Sequence, residues 1–491
     1  YHFGRQRIMS YYIGIDIGTS SVKAMLINEN EIQNTISKDY PIYLSNGNYA
    51  EQNPEDWYRQ SMLAMKELLR DVDKSEVKAI GFCGQMHGLV LLDEKDEVIR
   101  PAILWNDGRS EKEVDYLNNK IGKDFLLDNT GNIAFAGFTA PKLLWVYNHE
   151  PDNFKRISKI LLPKDYIAFM LSGVFATDVS DAAGTLYFDT EHRCWSKPML
   201  QLLHIDESFL PAVYESSQSV GCIKEKLADE LELCPDTKII IGAGDNAASA
   251  IGTGTVNDGD CNISLGTSGT IFACTEKYNC DRKNAIHSFC SANGKYHYLA
   301  CTLTAASSQK WWIEDILKSS YDYEKDAEKY MGKSDVLFLP YLMGERSPVN
   351  DTNARGMFTG LSMHTKREEM SLAVLEGVAF SLKENIEIIK SQGVNISKAK
   401  ICGGGTKNRL WLKLIATILN VQLEIPSFED AGALGACLLA AKGNGNNVSD
   451  NFYSIKETII PDKTFTQFYE NKYNEYLKLY RMTNSISQTR R

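Results

Sequence analysis

The N-terminal part of the chain alternates short apolar runs with small polar turns. In YIGIDIGTSSVKAMLI (residues 12–27), the first apolar run stops at Asp16 and the second covers residues 22–27. Only residues 18–21 separate the two runs, which is the spacing of a β-hairpin. The tip carries a glycine and three hydroxyls beside a carboxylate. The pattern therefore predicts either a plain surface turn or a turn that holds a ligand.

The same pattern recurs about 250 residues further along the chain. In CNISLGTSGTIFACT (residues 261–275), an apolar strand leads into Gly266-Thr267-Ser268 and another leads out. A chain of 491 residues is too long for one core, so two copies predict a duplicated nucleotide-binding fold. Tight turns rich in N–H groups and hydroxyls bind anions. We therefore expect the two tips to face each other across a cleft and to contact one triphosphate.

Segments with helical spacing and short apolar runs alternate between and after the hairpins, as in a mixed α/β fold. A helix is predicted to start at Asn53-Pro54-Glu55. Further helices are predicted in FTAPKLLWVYNHEP (138–151), in LLPKDYIAFMLSG (161–173) and, as a terminal amphipathic helix, in YENKYNEYLKLYRM (469–482). Residues 77–93 are interpreted as a buried strand, a polar tip and a returning strand.

Glycine and aspartate accumulate between residues 250 and 263, which predicts a domain break there. We therefore expect an N-terminal domain over 11–255, a C-terminal domain over 256–449 and a tail with a helix over 450–491.

The composition excludes several classes of protein. A net charge of −10 argues against a nucleic-acid surface, and no apolar run approaches the ~18 residues of a membrane helix. The 11 cysteines form no C-x-x-C pair, which favours reduced thiols in the cytoplasm. The first eight residues lack a signal-peptide core and are interpreted as either an added remnant or a frayed extension.

Three further segments carry candidate chemistry. Asp245 follows a Gly-x-Gly bend at the start of a predicted helix, where it either contacts a ligand or serves as an N-cap. Three glycines at 403–405 precede a helix predicted to start near Asn408, which suits a phosphate or nucleoside on a helix N-terminus. His87, in GQMHG at a strand end, is either structural or a ligand contact.

Together, these segments resemble the FGGY family of carbohydrate kinases from about Tyr11 to Lys442. The matching motifs, in order, are IGIDIGTSSVKAMLI, GQMHGLVLLD, RPAILWNDGRS, TDVSDAAGTLYFD, GAGDNAASAIGTG, LGTSG, GERSPVNDTNARGMFTGL and GGGTKNRLW. The resemblance implies a ribonuclease-H-like fold of the actin and hexokinase type: α/β, duplicated, with two domains of mixed sheet around an ATP cleft. GQMHG followed by LWNDGR is typical of the xylulose branch. Cys83 and Ala243 depart from the usual serine and glycine.

The resemblance also implies a role for each matching residue. Asp245 matches the general base, with Asn246 beside it, and Asp16 (mostly through water) and Asp245 match the residues that hold Mg²⁺. Thr19, Ser20 and Lys23 match the first phosphate loop, and Gly266 and Thr267 match the second. Met86 and His87, with Asp245 and Asn246, match the sugar contacts, and Gly404, Gly405 and Asn408 match the adenosine contacts. Trp311 falls where relatives place a residue against the adenine, and a buried core position is its alternative.

The implied activity is ATP-dependent phosphorylation of D-xylulose to D-xylulose 5-phosphate. The alternatives are another FGGY kinase acting on gluconate, ribulose or a related sugar, or an actin- or Hsp70-like ATPase. The ATPase alternative leaves GQMHG and LWNDGR unexplained. A small-molecule sugar, ATP and Mg²⁺ are the expected partners, without nucleic acid or membrane, and a homodimer is left open.

Overall fold

A computed structural model describes residues 9–318 and 323–488, with side chains to residue 483. Its strands are β1 (Tyr11–Ile17), β2 (Ser21–Ile27), β3 (Ile32–Asp39), β4 (Tyr43–Ser45), β5 (Tyr49–Gln52), β6 (Val77–Gly84), β7 (Val90–Leu92), β8 (Ala102–Ile103), β9 (Lys159–Leu161), β10 (Ala176–Asp178), β11 (Phe188–Asp189), β12 (Cys194–Trp195), β13 (Ala212–Tyr214), β14 (Ser219–Cys222), β15 (Lys238–Gly244), β16 (Cys261–Leu265), β17 (Gly269–Thr275), β18 (His287–Cys290), β19 (Tyr296–Thr302), β20 (Leu337–Leu339), β21 (Met357–Thr359), β22 (Lys398–Cys402), β23 (Gln422–Pro426) and β24 (Ile455–Ile459).

The α-helices are α1 (Pro54–Leu68), α2 (Glu111–Asp115), α3 (Lys123–Thr130), α4 (Thr139–His149), α5 (Pro151–Lys155), α6 (Pro163–Ser172), α7 (Val179–Ala182), α8 (Lys197–Leu202), α9 (Glu225–Leu231), α10 (Asp245–Thr253), α11 (Ala306–Lys310), α12 (Glu324–Glu328), α13 (Arg367–Ser391), α14 (Arg409–Leu419), α15 (Ala431–Gly443) and α16 (Thr466–Gln488). π-helical turns follow α2 and α11, and short 3₁₀ turns connect other elements. No helix in the described ranges is both long and apolar enough to cross a membrane.

Two large mixed sheets share one topology. The first has the order β14-β15-β6-β1-β2-β3, and the second has the order β18-β19-β17-β16-β22-β23-β24. In each, an antiparallel hairpin and a third antiparallel strand lie beside two strands that run parallel to the first. The two predicted hairpins and the predicted duplication are confirmed. The exact domain boundaries stay a prediction.

The predicted helices are also found. Asn53 caps α1, its side chain accepting from the N–H of Glu55, and α6 ends at Gly173, whose φ of 77° only glycine adopts without strain. The terminal helix α16 buries Tyr469 and Tyr476 against the second sheet's core.

Residues 77–93 contain the predicted buried strand, polar tip and second strand, but the second strand does not return along the first. β7 pairs with β9 rather than returning along β6. The chain turns at His87, which has a φ of 71°, and leaves the plane of the first sheet. This exit leaves the carboxyl end of β6 open to the cleft.

Helix α15 joins the two halves of the molecule. It lies between β23 and β24 of the second sheet along the chain, yet it lies directly on strands β1 and β6 of the first. Glycines make this approach possible: a Cβ on Gly14 would lie 2.4 Å from the carbonyl oxygen of Ala433, and one on Gly81 would lie 2.4 Å from that of Ala436. Tight packing of this kind leaves no room for a larger side chain.

Helix α15 also crosses α10 at backbone contact distance. A Cβ on Gly435 would lie 1.9 Å from the carbonyl oxygen of Ala248, and one on Gly252 would lie 2.0 Å from that of Ala431. Reciprocal glycines therefore fix the distance between the two helices, one from each half of the chain.

Gly435→Ala is expected to lower the midpoint of thermal unfolding. Alanine normally favours a helix over glycine by up to ~1 kcal/mol. Here the added methyl meets backbone, and overpacking of a close-packed site typically costs about 1–3 kcal/mol. Gly404→Ala is the matched control, because a Cβ there meets no atom within 4 Å. A midpoint of Gly435→Ala at or above wild type would contradict the crossing.

Candidate active site

Asp245 is the first residue of α10, directly after β15. Gly244 occupies the N-cap, so the alternative that Asp245 itself caps the helix is wrong. Its carboxylate accepts from the backbone N–H and the side-chain Nδ2 of Asn246, at 2.7 and 2.9 Å. The preceding bend requires glycine at Gly242, where φ is 76° and a Cβ would lie 1.7 Å from the carbonyl oxygen of Phe82. The bend aims Asp245 into the cleft.

Asp16, near the end of β1, lies close enough to Asp245 for its negative charge to act on the Asp245 carboxyl. Burial raises the pKa of Asp245 to about 7, and the negative charge of Asp16 adds to the shift. Burial also raises the pKa of Asp16, against the opposing effects of the Cys83 thiol and the Lys23 ammonium. Two carboxylates facing one cleft are a typical arrangement of an acid–base or cation site.

Lys23 forms an ion pair with Asp430, the N-cap residue of α15. Both side chains are about one-third exposed, at 39% and 34%. Burial lowers the pKa of Lys23, but the bond to Asp430 and the charges around it raise it overall. The ion pair places the ammonium beside Asp16 and links the first hairpin to the helix of the other half.

Met86 and His87 line the floor of the cleft. The Nδ1 of His87 lies 2.7 Å from the carbonyl oxygen of Gly184, and burial, aided by the charge of Lys142, lowers its pKa to about 3. His87 is therefore neutral at physiological pH. A Cβ on Gly184 would lie 2.6 Å from the ring and 2.9 Å from the Met86 methyl, so glycine is required beneath both side chains.

A cavity of about 210 Å³ joins residues from both halves of the chain. Its walls include four predicted site residues, Met86, His87, Asp245 and Asn246. They also include residues without a predicted role, among them Trp105, Phe138, Ser268, Thr270, His287 and Arg346. The predicted sugar and base residues therefore lie around one space.

The first turn reaches this cavity through Trp105. The Thr19 hydroxyl accepts from the indole N–H of Trp105 at 3.0 Å, and its carbonyl accepts from Gln52 at 2.6 Å. Ser20 is exposed at the tip. These bonds hold the backbone of the turn while its outer face stays open to the cleft.

The second turn approaches the same cavity from the other half. The carbonyls of Gly266 and Thr267 accept from the N–H groups of Ala306 and Ala305, each at 2.9 Å. The next residue, Ser268, lines the cavity. The second turn thus lies at the space that contains Asp245, and the first turn contacts one of its walls, Trp105. That the two tips contact one triphosphate stays a prediction.

The glycine loop lies next to the second turn. Gly403 has a φ of 96°, and a Cβ on it would lie 2.6 Å from the carbonyl oxygen of Leu265, the residue before the turn. Gly404 faces open space and Gly405 packs on Leu265. Asn408 caps α14, accepting from the N–H of Trp411 at 2.8 Å. The predicted adenosine residues are therefore contiguous with the second phosphate turn.

Trp311 is half-buried and stacks on Phe338, with ring centroids 6.1 Å apart and an angle of 13° between the rings. The described contacts place it on the core side of this region. Its predicted contact with adenine stays a prediction.

A buried charge cluster supports Asp245 from behind. The Lys164 ammonium lies 2.6, 2.9 and 3.5 Å from the carboxylates of Asp165, Asp178 and Asp181, and all four side chains are at most 1% exposed. Asp178 accepts from the Ser180 hydroxyl at 2.6 Å, which in turn accepts from the N–H of Gly244 at 3.1 Å. The segment that begins at Asp178 also supplies Gly184 beneath His87.

Sequence reasoning missed the cavity walls. Trp105 and Arg346 lie within the motifs LWNDGR and GERSPVNDTNARG. Their place in these motifs is the sequence signal that could have identified them as site residues. Phe138 and His287 carry no comparable local signal, since only the tertiary fold brings α4 and β18 to the cleft.

Comparison with known proteins gives one consistent family. Residues 11–252 match the N-terminal domain of the FGGY family of carbohydrate kinases, and residues 261–443 match its C-terminal domain. A xylulose kinase from Staphylococcus xylosus is 36% identical over 96% of this chain and 100% of its own length. One from Escherichia coli (strain K12) is 39% identical over 87% of this chain and 89% of its own length.

A solved structure of a "xyloylose kinase" from Brucella ovis superposes with a TM-score of 0.93. It is 38% identical, and the match covers 97% of this chain and 100% of that one. The predicted two-domain α/β fold with mixed sheets, of the actin and hexokinase type, is confirmed.

Asp245→Asn is expected to raise the midpoint of thermal unfolding at pH 8. Because the pKa of Asp245 is raised to about 7 in the folded protein, the unfolded chain ionises first and stability falls between roughly pH 4 and 7. Above pH 7, ionisation costs up to about 4 kcal/mol, which the amide avoids. The difference in thermal midpoint between the variant and the wild-type protein should therefore shrink toward pH 4.

Asp152→Asn serves as the control, since that side chain is 97% exposed and should show no gain at either pH. Equal midpoints of Asp245→Asn and wild type at pH 8 would show that the carboxylate is not enclosed as described.

Proposed function

Because the chain belongs to the FGGY family of carbohydrate kinases, we propose that it transfers the γ-phosphoryl group of ATP to the C5 hydroxyl of D-xylulose, giving D-xylulose 5-phosphate. The observation that carries this proposal is the single cavity in which Asp245, His87 and the second hairpin turn meet. The xylulose kinases among its relatives support the choice of sugar.

In this mechanism, Asp245 is the general base. Its carboxylate takes the proton of the C5 hydroxyl as the oxygen attacks the γ-phosphorus, while the bond between the γ-phosphorus and the β–γ bridging oxygen breaks and ADP leaves. Phosphoryl transfer needs in-line alignment and neutralised charge more than covalent help. A positioned base with a pKa near the working pH typically contributes ~10²–10⁴-fold, and burial raises the pKa of Asp245 to about 7.

The two hairpin turns would bind the triphosphate. Their backbone N–H groups and the hydroxyls of Thr19, Ser20 and Thr267 are directional donors suited to phosphate oxygens. Lys23 would contribute positive charge by exchanging its bond to Asp430 for one to phosphate. Gly404, Gly405 and Asn408, beside the second turn, would bind the adenosine, and Trp311 would lie against the adenine.

The residues at the cleft fit Mg²⁺. Asp16 and Asp245 offer hard carboxylate oxygens, and Gly432 leaves space beside them, since a Cβ there would lie 3.0 Å from the Oδ2 of Asp16. The described ranges hold no group of three or more His, Cys, Asp or Glu residues that could bind a metal alone. That suits Mg²⁺, which keeps several waters and relies on substrate phosphates. When bound, it would neutralise charge on the triphosphate.

The sugar would lie on Met86 and His87, beside Asn246. His87 is neutral because burial lowers its pKa to about 3, so it offers a hydrogen bond without attracting a second anion. The Trp105 and Phe138 rings supply apolar walls that would exclude water, which otherwise competes as phosphoryl acceptor. We further infer a cytoplasmic enzyme, in keeping with eleven cysteines that all lie among the described residues and are unpaired.

A coupled assay of ADP release with ATP, Mg²⁺ and a panel of sugars tests this function. D-xylulose should give the highest kcat/KM, ahead of D-ribulose, L-ribulose, D-gluconate, xylitol and D-xylose. A higher kcat/KM for gluconate or ribulose would assign the enzyme to another branch of the family. ADP release that does not depend on any sugar would favour the ATPase alternative.

Asp245→Ala should lower kcat with D-xylulose by at least ~10²-fold and leave ATP affinity nearly intact. The physical reason is that the variant loses the proton acceptor but keeps both phosphate turns. Steady-state kinetics and calorimetric titration with ATP separate the two effects. Asp229→Ala, an exposed acid on α9, is the control. Near-wild-type turnover of Asp245→Ala would remove Asp245 from this role.

A further inference from the structure

Arg346 brings a positive charge to the sugar cavity without forming an ion pair, and the buried carboxylate of the preceding residue, Glu345, interacts with it only at longer range. Its side chain is half-buried and lines the cavity of about 210 Å³ that contains Asp245. No carboxylate oxygen of the described side chains lies within 4.0 Å of the guanidinium. The contacts it makes are with the face of Phe135, at 5.3 Å from the ring centroid, and with the thiol of Cys301. Most of its five N–H donors therefore remain available to a ligand.

His287 lies on the same wall and also lacks a protein partner. It is 2% exposed, and its Nε2 atom has no hydrogen-bond partner among the described residues. Its ring packs against Phe135 and Phe138, with centroids 4.8 and 5.1 Å away. Burial and the charge of Arg346 hold its pKa well below the usual range, so the imidazole is neutral. Buried polar atoms are rarely left without a partner. The Nε2 atom of His297 also has none among the described residues, but His287 lines the sugar cavity, where a ligand can supply one.

The position of Arg346 indicates which part of the sugar it faces. Arg346, Gly137 and Leu303 line both the sugar cavity and a second, outer cavity of about 610 Å³. Asp245 and Ser268 line only the inner cavity, on the side of the phosphate turns. A sugar whose reacting hydroxyl lies at Asp245 would therefore extend its other end toward Arg346.

We propose that Arg346 and His287 are specificity-determining residues that hydrogen-bond the carbonyl end of the ketose, opposite the hydroxyl that is phosphorylated. The inference rests on the function proposed above and deepens it. Both residues come from the C-terminal half, whereas Met86, His87, Asp245 and Asn246 come from the N-terminal half. The sugar therefore bridges the two halves, and a guanidinium fork is suited to the adjacent carbonyl and hydroxyl oxygens of a 2-ketose.

The test uses two substitutions, each with a matched control. Arg346→Met removes the charge from the cavity, and Arg355→Met removes an arginine of the same segment whose guanidinium instead bonds the backbone carbonyls of Thr352 and Ala354. His287→Phe removes the ring nitrogens, and His297→Phe makes the same change at a buried histidine outside the cavity. Thermal midpoints report on the folding of each variant.

Arg346→Met should raise the KM for D-xylulose, and the Kd measured by calorimetry without nucleotide, by roughly 10- to 100-fold. His287→Phe should raise both by roughly 5- to 10-fold. The KM for ATP should stay within about twofold in every variant, and both controls should match wild type. Arg346→Lys, which keeps the charge but not the fork, should recover part of the affinity.

An unchanged Kd for D-xylulose with a lowered kcat would overturn the inference, since it would place Arg346 at the transferred phosphoryl group. Equal losses in Arg346→Met and Arg355→Met would also overturn it. If the wild-type protein phosphorylates a different sugar, the proposed function is wrong, and the same variants are measured with that sugar. Unchanged affinity of Arg346→Met for it would then overturn the inference separately.

Discussion

The contact on which the structure depends is the crossing of α10 and α15 at backbone distance. Gly252 and Gly435 allow each helix to touch the carbonyl of the other, and Gly14 and Gly81 allow α15 to lie on the first sheet. Because α10 begins with Asp245 and Asp430 occupies the N-cap position of α15, the crossing also fixes two carboxylates around Asp16. The same close packing at glycines therefore sets both the relative placement of the two halves and the geometry of the site.

The site is built at a cost in stability. Burial raises the pKa of both Asp16 and Asp245, so the folded protein resists the charges that the proposed chemistry requires. Rigid surroundings keep these groups in place: Ser180 fixes the peptide before Asp245, and Asp178 fixes Ser180. Lys164, surrounded by three buried carboxylates, fixes that segment in turn. The buried charge of Asp245 is thus supported by a polar network that is itself fully buried.

The sequence predicts those parts of the molecule that depend on local patterns. Both hairpins, the cap of α1 and the end of α6 follow from residue types within a few positions of one another. The pairing of β7 with β9 does not, because nothing near His87 specifies a partner 70 residues away. The roles assigned to Asp245, Met86 and the glycine loop came from family resemblance. His287 and Phe138 reach the cavity only through tertiary packing, so no spacing could have identified them.

The repeated topology also relates two acidic residues that do different things. β15 and β23 occupy equivalent places in their sheets, and each is followed by one of the crossing helices. Asp245 begins the first helix and faces the cavity, whereas Asp430 occupies the N-cap position of the second and forms an ion pair with Lys23. The two acids are not at equivalent positions, since Asp245 is the first residue of α10 and Asp430 is the N-cap residue of α15, and only Asp245 lines the cavity. The duplicated halves therefore differ at the starts of their crossing helices, where a cleft that takes its substrate in one orientation needs unlike groups.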